Sequence, residues 1–205
     1  MDFEKKSTEV NDVAPSSVAH IVGQRGVVDQ IMVALDAAFE DGRRFDHSLL
    51  VGPPGTGKSM AANIIAQEMA TDFQEVLGQS IGNVGDLNGL LLQATPKSIV
   101  HIDEAHELDR KLQTALYLAT DKQRVFINGE KAVQSIPIAD FTLLLSTTDE
   151  YSLLQPLRDR MRLVLRFDFY SSEDLVTLLH HRYKALGWAV DEELFPHIAR
   201  RSKGT

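Results

Sequence analysis

The chain has no cysteine among its 205 residues. Disulfide staples, thiolate nucleophiles and cysteine-ligated metals are therefore excluded. No apolar run approaches the roughly 20 residues that a membrane-spanning helix needs. The start, Met1-Asp2-Phe3-Glu4-Lys5-Lys6, carries charge where a signal peptide needs an apolar stretch. These absences predict a soluble, cytoplasmic protein with no membrane partner. Basic excess is missing too: the net charge is −8, and only residues 156–205 tip the other way, with 9 bases against 7 acids. A protein that grips a DNA backbone unaided presents a basic face. Tight DNA binding by this chain alone is not expected. There is no internal repeat and no low-complexity segment.

What is there is a core-forming composition, 43% hydrophobic, in a length that suits one large domain or one and a half. Residues 1–20 read as a loose N-terminal arm. Val27, Ile31, Ala34 and Ala38 recur at helical spacing and predict a helix over about 25–40. Apolar runs at Ser48–Val51, Ser98–Ile102, Phe141–Leu145 and Leu163–Phe167 predict buried strands, and Phe73–Leu77 is a short strand candidate. Helical patterns lie between them, at about 58–70, 84–93 and 109–119. Strands alternating with helices predict an α/β fold, a parallel sheet with helices on both faces. Asn128-Gly129 between β-rich runs predicts a hairpin over 123–138. Ser171-Ser172-Glu173-Asp174 resembles a capping box and opens a helix to about Leu186.

The densest signal is Gly52-Pro53-Pro54-Gly55-Thr56-Gly57-Lys58-Ser59, which fits G-x-x-x-x-G-K-[ST]. It stands between a predicted strand and a predicted helix, the context that the motif requires. Glycines let backbone N–H groups turn inward around a phosphate, and the helix N-terminus adds partial positive charge there. The motif assigns Lys58 to the β- and γ-phosphates and the Ser59 hydroxyl to Mg²⁺. About forty residues on, Ile99–Ile102 ends in Asp103-Glu104. One carboxylate of such a pair serves the metal and its neighbour serves the attacking water. Ser146-Thr147-Thr148 ends another strand; its hydroxyls either face the phosphate and the water or merely cap the strand. Pro156-Leu157-Arg158-Asp159-Arg160 offers two arginines, either for a neighbour's γ-phosphate or for a local surface pair.

These pieces, in this order, resemble AAA+ ATPases, P-loop NTPases with a helical lid, and more closely the RuvB family, hexameric motors that migrate Holliday junctions. His101-Ile102-Asp103-Glu104-Ala105-His106, Phe141 to Thr148, Pro156 to Arg160 and Phe167-Asp168-Phe169-Tyr170 carry the likeness. The resemblance implies an ATPase domain over 21–169 and the start of a helical lid over 170–205. It implies ATP and Mg²⁺ as cofactors, Ser59 and Asp103 at the metal, and Glu104, Lys58, Thr148 and Arg160 as catalytic residues. Arg160 would act in trans as an arginine finger. Ile21, Val22, Met60 and Tyr170 would lie near the nucleotide. The hairpin would dock a RuvA-like partner through Val125-Phe126-Ile127, within a ring that acts on DNA. In that family Gly-Thr is followed by Pro-Arg, whose arginine senses nucleotide, by the rest of the lid and by a winged helix, so the stop at Thr205 reads as a truncation. Two alternatives stand beside this reading. One is an AAA+ remodeller or loader acting on a protein; the other is an ATP-binding module that does not hydrolyse.

Overall fold

The computed structural model describes residues 15–128 and 132–205. Most of the expected N-terminal arm, and Gly129 of the expected turn, lie outside the described residues. In chain order the strands are β1 (Ser48–Val51), β2 (Phe73–Leu77), β3 (Ile99–Asp103), β4 (Arg124–Asn128), β5 (Val133–Pro137), β6 (Thr142–Thr147) and β7 (Leu163–Arg166). The helices are α1 (Arg25–Glu40), α2 (Lys58–Glu68), α3 (Val84–Gln93), α4 (Arg110–Lys122), α5 (Gln155–Arg158), α6 (Ser172–Leu186) and α7 (Phe195–Arg201). Among the described residues no helix is long and apolar enough to cross a membrane.

Five strands make one parallel sheet in the order β2-β3-β6-β1-β7. Successive side chains of a strand point to opposite faces. Leu50, Ile99, Leu144 and Leu165 therefore share one face with Val27 and Ile31 of α1 and Ala61, Ile64 and Ile65 of α2. Leu49, Val100, Ile102, Leu143 and Leu145 share the other with Leu87 and Leu91 of α3 and Leu112 and Leu116 of α4. Both faces are covered, which is why these strands read as continuous apolar runs rather than alternating ones. β1 lies between β6 and β7, so the chain leaves β1 at a point where neighbouring crossovers diverge. In open α/β sheets that crevice is where ligands bind.

Helix starts follow the sequence. Asp109 caps α4 through Leu112 N–H at 2.8 Å. Ser171 caps α6 through Asp174 N–H at 3.0 Å, and its hydroxyl donates to the Asp174 carboxylate at 2.7 Å. Just before β1, His47 Nδ1 accepts the Leu143 N–H at 2.8 Å and ties that corner to β6. β4 and β5 form a separate antiparallel hairpin. Val125 is buried, while Phe126 and Ile127 of the same strand are exposed. Val18 is buried against α1 and α2, and its N–H donates to Glu68 Oε1 at 3.1 Å. A lone valine in a polar stretch has no periodicity to announce it.

Candidate active site

β1 runs into the glycine loop, and the loop is pinned at its entrance. Gly52 N–H donates to Thr147 O at 3.2 Å. Gly52 has φ 158°, and a Cβ there would sit 2.4 Å from the Phe167 carbonyl oxygen. Only glycine lets the loop pass so close to the end of β7. Thr56 is buried; its hydroxyl donates to Pro53 O at 2.8 Å, which closes the turn on itself. The loop then becomes the N-terminus of α2, whose unpaired N–H groups and dipole favour an anion.

Lys58, the first residue of α2, is buried. Its Nζ donates to Gly52 O and Pro53 O, each at 2.8 Å. Burial lowers its pKa from the usual lysine value, and the Asp103 and Glu104 carboxylates pull the other way. Ser59 Oγ donates to Asp103 Oδ2 at 2.6 Å. The other carboxylate oxygen, Oδ1, accepts Glu104 N–H at 2.9 Å. Two hard oxygen donors from residues 44 positions apart are thus brought together at the mouth of the loop. Among the described residues, no three His, Cys, Asp or Glu side chains converge as metal ligands. The donor set suits Mg²⁺, which takes one or two protein oxygens and fills its octahedron with phosphate oxygens and water.

Glu104 follows with φ 52°, a left-handed conformation that a non-glycine residue adopts at some cost. The backbone packs against Gly78, where a Cβ would lie 2.5 Å from Glu104 O. This twist turns the Glu104 side chain away from the path of β3 and exposes it to the cleft. At the tip of β6, Thr147 is buried, with its hydroxyl bonded to Asp149 O at 3.0 Å and close to His106 Nδ1 at 3.3 Å. Thr148 is exposed and lines the cleft.

The cleft occupies about 840 Å³. One wall is the polar set of Lys58, Ser59, Asp103, Glu104 and Thr148. Pro54, Gly55, Gly57 and Met60 line it from the loop and α2, and Val22 and Tyr170 line it from either side. Leu175, Leu178 and Leu179 of α6 and Ile198 of α7 make an apolar end. Ile21, one residue away from Val22, packs against the core beneath instead. Tyr170 ties the loop to the helical segment: its hydroxyl donates to Thr56 O at 3.1 Å, and its N–H donates to Gly204 O at 2.8 Å. Burial raises the Tyr170 pKa, so the phenol stays a donor. Gln24 clips the same junction, with Nε2 on Asp168 O at 2.6 Å and Oε1 accepting Asp168 N–H at 3.2 Å.

Arg160 stands outside this cleft. Its guanidinium pairs with Asp121 at the end of α4 and lies 5.9 Å from the Tyr117 ring. Arg158 lies over the Tyr151 ring at 5.4 Å. Gln113 of α4 braces the arm that carries both: Nε2 donates to Leu108 O at 2.8 Å, and Oε1 accepts Leu154 N–H at 2.7 Å, just before α5. Sequence reasoning singled out neither Gln113 nor Gln24. It also passed over the α6 leucines as site residues, although 175, 178 and 179 carry helical spacing. His101 stands in an apolar strand and in the stretch that carries the likeness, with no role of its own in either, but both of its ring nitrogens are engaged.

The family model described as the Holliday junction DNA helicase RuvB P-loop domain matches residues 13–167. A Holliday junction branch migration complex subunit RuvB from Koribacter versatilis is 38% identical over 195 residues, 93% of this chain and 54% of the relative. The chain thus spans about half the length of that curated relative. The solved Thermotoga maritima RuvB Holliday junction branch migration motor superposes with a TM-score of 0.84 at 31% identity, over 94% of this chain and 61% of that one. A single-residue mutant of the same protein gives 0.86 at 32% identity, over 94% and 62%.

Proposed function

The chain belongs to the family of the RuvB P-loop domain, and on that premise we propose that it is the ATPase portion of a ring motor that drives branch migration of Holliday junctions. The observation that carries the reading is the contact of Ser59 with Asp103 at 2.6 Å, beside Lys58 and next to the exposed Glu104. That set has the parts hydrolysis needs, brought together from the start of α2 and the end of β3.

ATP would lie with its base against Val22, Tyr170 and the apolar face of α6, and its phosphates on the glycine loop. The loop N–H groups and Lys58 bind the β- and γ-phosphates by hydrogen bonds and charge. Ser59 and Asp103 would hold Mg²⁺, which supplies neutralisation of charge on the phosphate oxygens when bound. Glu104 accepts the proton of the attacking water and leaves the cleft wall open for it. Thr148 orients that water or the γ-phosphate. Arg160 stands outside its own cleft, paired with Asp121, so its charge would serve the cleft of a neighbouring copy, as an arginine finger does. That supports a ring, hexameric in the reading made from sequence. The exposed Phe126 and Ile127 would seat a RuvA-like partner, and DNA would be engaged by the full assembly rather than by this acidic chain alone.

Glu104→Gln tests the assignment. It removes the base and keeps the shape and the metal ligand. ATP binding should persist and turnover should fall at least about a hundredfold. Turnover within about threefold of wild type would sink the assignment of the base.

A further inference from the structure

His101 is a polar side chain with 0% exposure in the middle of an apolar strand. Its Nδ1 lies 2.9 Å from Glu75 Oε1, and its Nε2 lies 2.7 Å from Ser146 Oγ. Three adjacent strands contribute. Glu75 on β2 stands opposite His101 on β3, and Ser146 on β6 is two residues beyond Leu144, which also stands opposite His101. With a period of two, all three side chains leave the same face of the sheet. α2 covers that face, and from it Ser59 reaches Asp103. Asp103 is two residues along β3 from His101 and leaves that face as well.

The relay has a direction. An ionised Glu75 only accepts, so Nδ1 carries the proton and Nε2 accepts the Ser146 hydroxyl. One end touches water, since the Glu75 side chain is 47% exposed. The other end stops one residue before Thr147 and two before Thr148. Leu50, opposite Ser146 on β1, leads into the glycine loop. Apolar packing alone would accept a leucine or phenylalanine at 101, where the ring already stacks on Phe73 at 5.9 Å. Apolar contacts are non-directional and tolerate sliding, whereas two hydrogen bonds at defined angles do not. A buried polar chain is costly when partly satisfied and rigid when fully satisfied. This one is satisfied at both ring nitrogens.

We propose that Glu75, His101 and Ser146 form a positioning relay that sets the height of Asp103 against Ser59 and the tip of β6, and so tunes the site's grip on nucleotide-bound magnesium. The inference rests on the nucleotide-site reading above. The full chain would be compared with Glu75→Leu, Glu75→Gln and Ser146→Ala. ATP affinity would be measured with and without Mg²⁺, turnover would be resolved into kcat and KM, and ¹⁵N shifts would report the protonation pattern of the His101 ring.

In wild type, Mg²⁺ should strengthen ATP binding and the ring should carry its proton on Nδ1. Glu75→Leu and Ser146→Ala should cut the Mg²⁺-dependent gain about tenfold or more, with metal-free ATP affinity little changed. Glu75→Gln keeps an acceptor for Nδ1–H and should restore the gain to within about twofold. A merely structural role would lower the melting temperature of these variants without separating the two affinities. An equal gain in wild type, Glu75→Leu and Ser146→Ala overturns the relay. A gain lost in Glu75→Leu with no turnover in wild type leaves the relay standing and removes the hydrolysis reading. Turnover in wild type with an unmoved gain does the reverse, a wild type with no gain overturns the relay, and a wild type with neither gain nor turnover overturns both.

Discussion

His47 should make the fold acid-sensitive by an amount that can be worked out. Burial, and next the Arg44 guanidinium, hold its pKa at about 4, below the ordinary 6.5; Asp140 and Asp46 pull it up and Arg162 pulls it down. Nδ1 is committed as an acceptor to Leu143 N–H, and Arg44 Nη2 faces Nε2 at 3.3 Å. A proton on Nδ1 would break the first bond. The unfolded chain takes its proton near pH 6.5 and the folded one only near 4. Between those values the unfolded state binds more protons, so stability rises with pH and is lost on acidification. At 1.36 kcal/mol per pKa unit, the fall from pH 7 to 4.5 is about 2–3 kcal/mol from this residue. His47→Asn isolates it, because asparagine Oδ1 can take the place of Nδ1 without titrating. Urea unfolding at both pH values should show the wild type losing about 2 kcal/mol more than the variant. Equal losses would refute the reasoning, since every other titrating group is common to both proteins.

Gly52→Ala should weaken ATP binding at least about tenfold, because the added Cβ meets the Phe167 carbonyl at 2.4 Å and neither backbone can swing aside; calorimetric titration reads it. Gln113→Leu leaves Leu154 N–H and Leu108 C=O short of partners and should cost about 2–3 kcal/mol in denaturant unfolding. Turnover per subunit should rise with protein concentration in wild type. In Arg160→Ala it should collapse by about 10³-fold at unchanged ATP affinity, and a flat concentration dependence would count against a shared site.

Local chemistry was the legible part. The glycine loop, Ser59, Asp103 and Glu104 sit in local runs, and the fold brings them together where the sequence order suggested; four of the five sheet strands were apolar enough to be read one by one, and β2, with Gln74 and Glu75, was legible only as a short candidate. What escaped reading depends on contacts between distant positions. Gln24 meets Asp168 across 144 residues, and nothing near either announces the pair. Gln113 lies on the buried face of an amphipathic helix, where a polar residue looks like noise until Leu154 arrives. His101 was hidden because strand periodicity scores a polar residue as a lapse, while its partners sit on two other strands. Ile21 and Val22 show the limit of resolution: adjacent residues, one under the floor and one in the wall, with no repeat long enough to give the phase.

The fastening of Asp168 to Tyr170 has a mechanical consequence. The start of α1, the glycine loop and the backbone beyond α7 all attach within these three residues, through Gln24, Thr56 and Gly204. A lever needs a fulcrum that does not give, and three short polar links at one joint make a stiff one. Travel in the glycine loop should therefore reach α6 and α7 as rotation about that joint rather than dissipate in a slack connection. Loosening one link, as Tyr170→Phe would by removing the hydroxyl that donates to Thr56 O, should turn a crank into a tether and uncouple the helices from the loop.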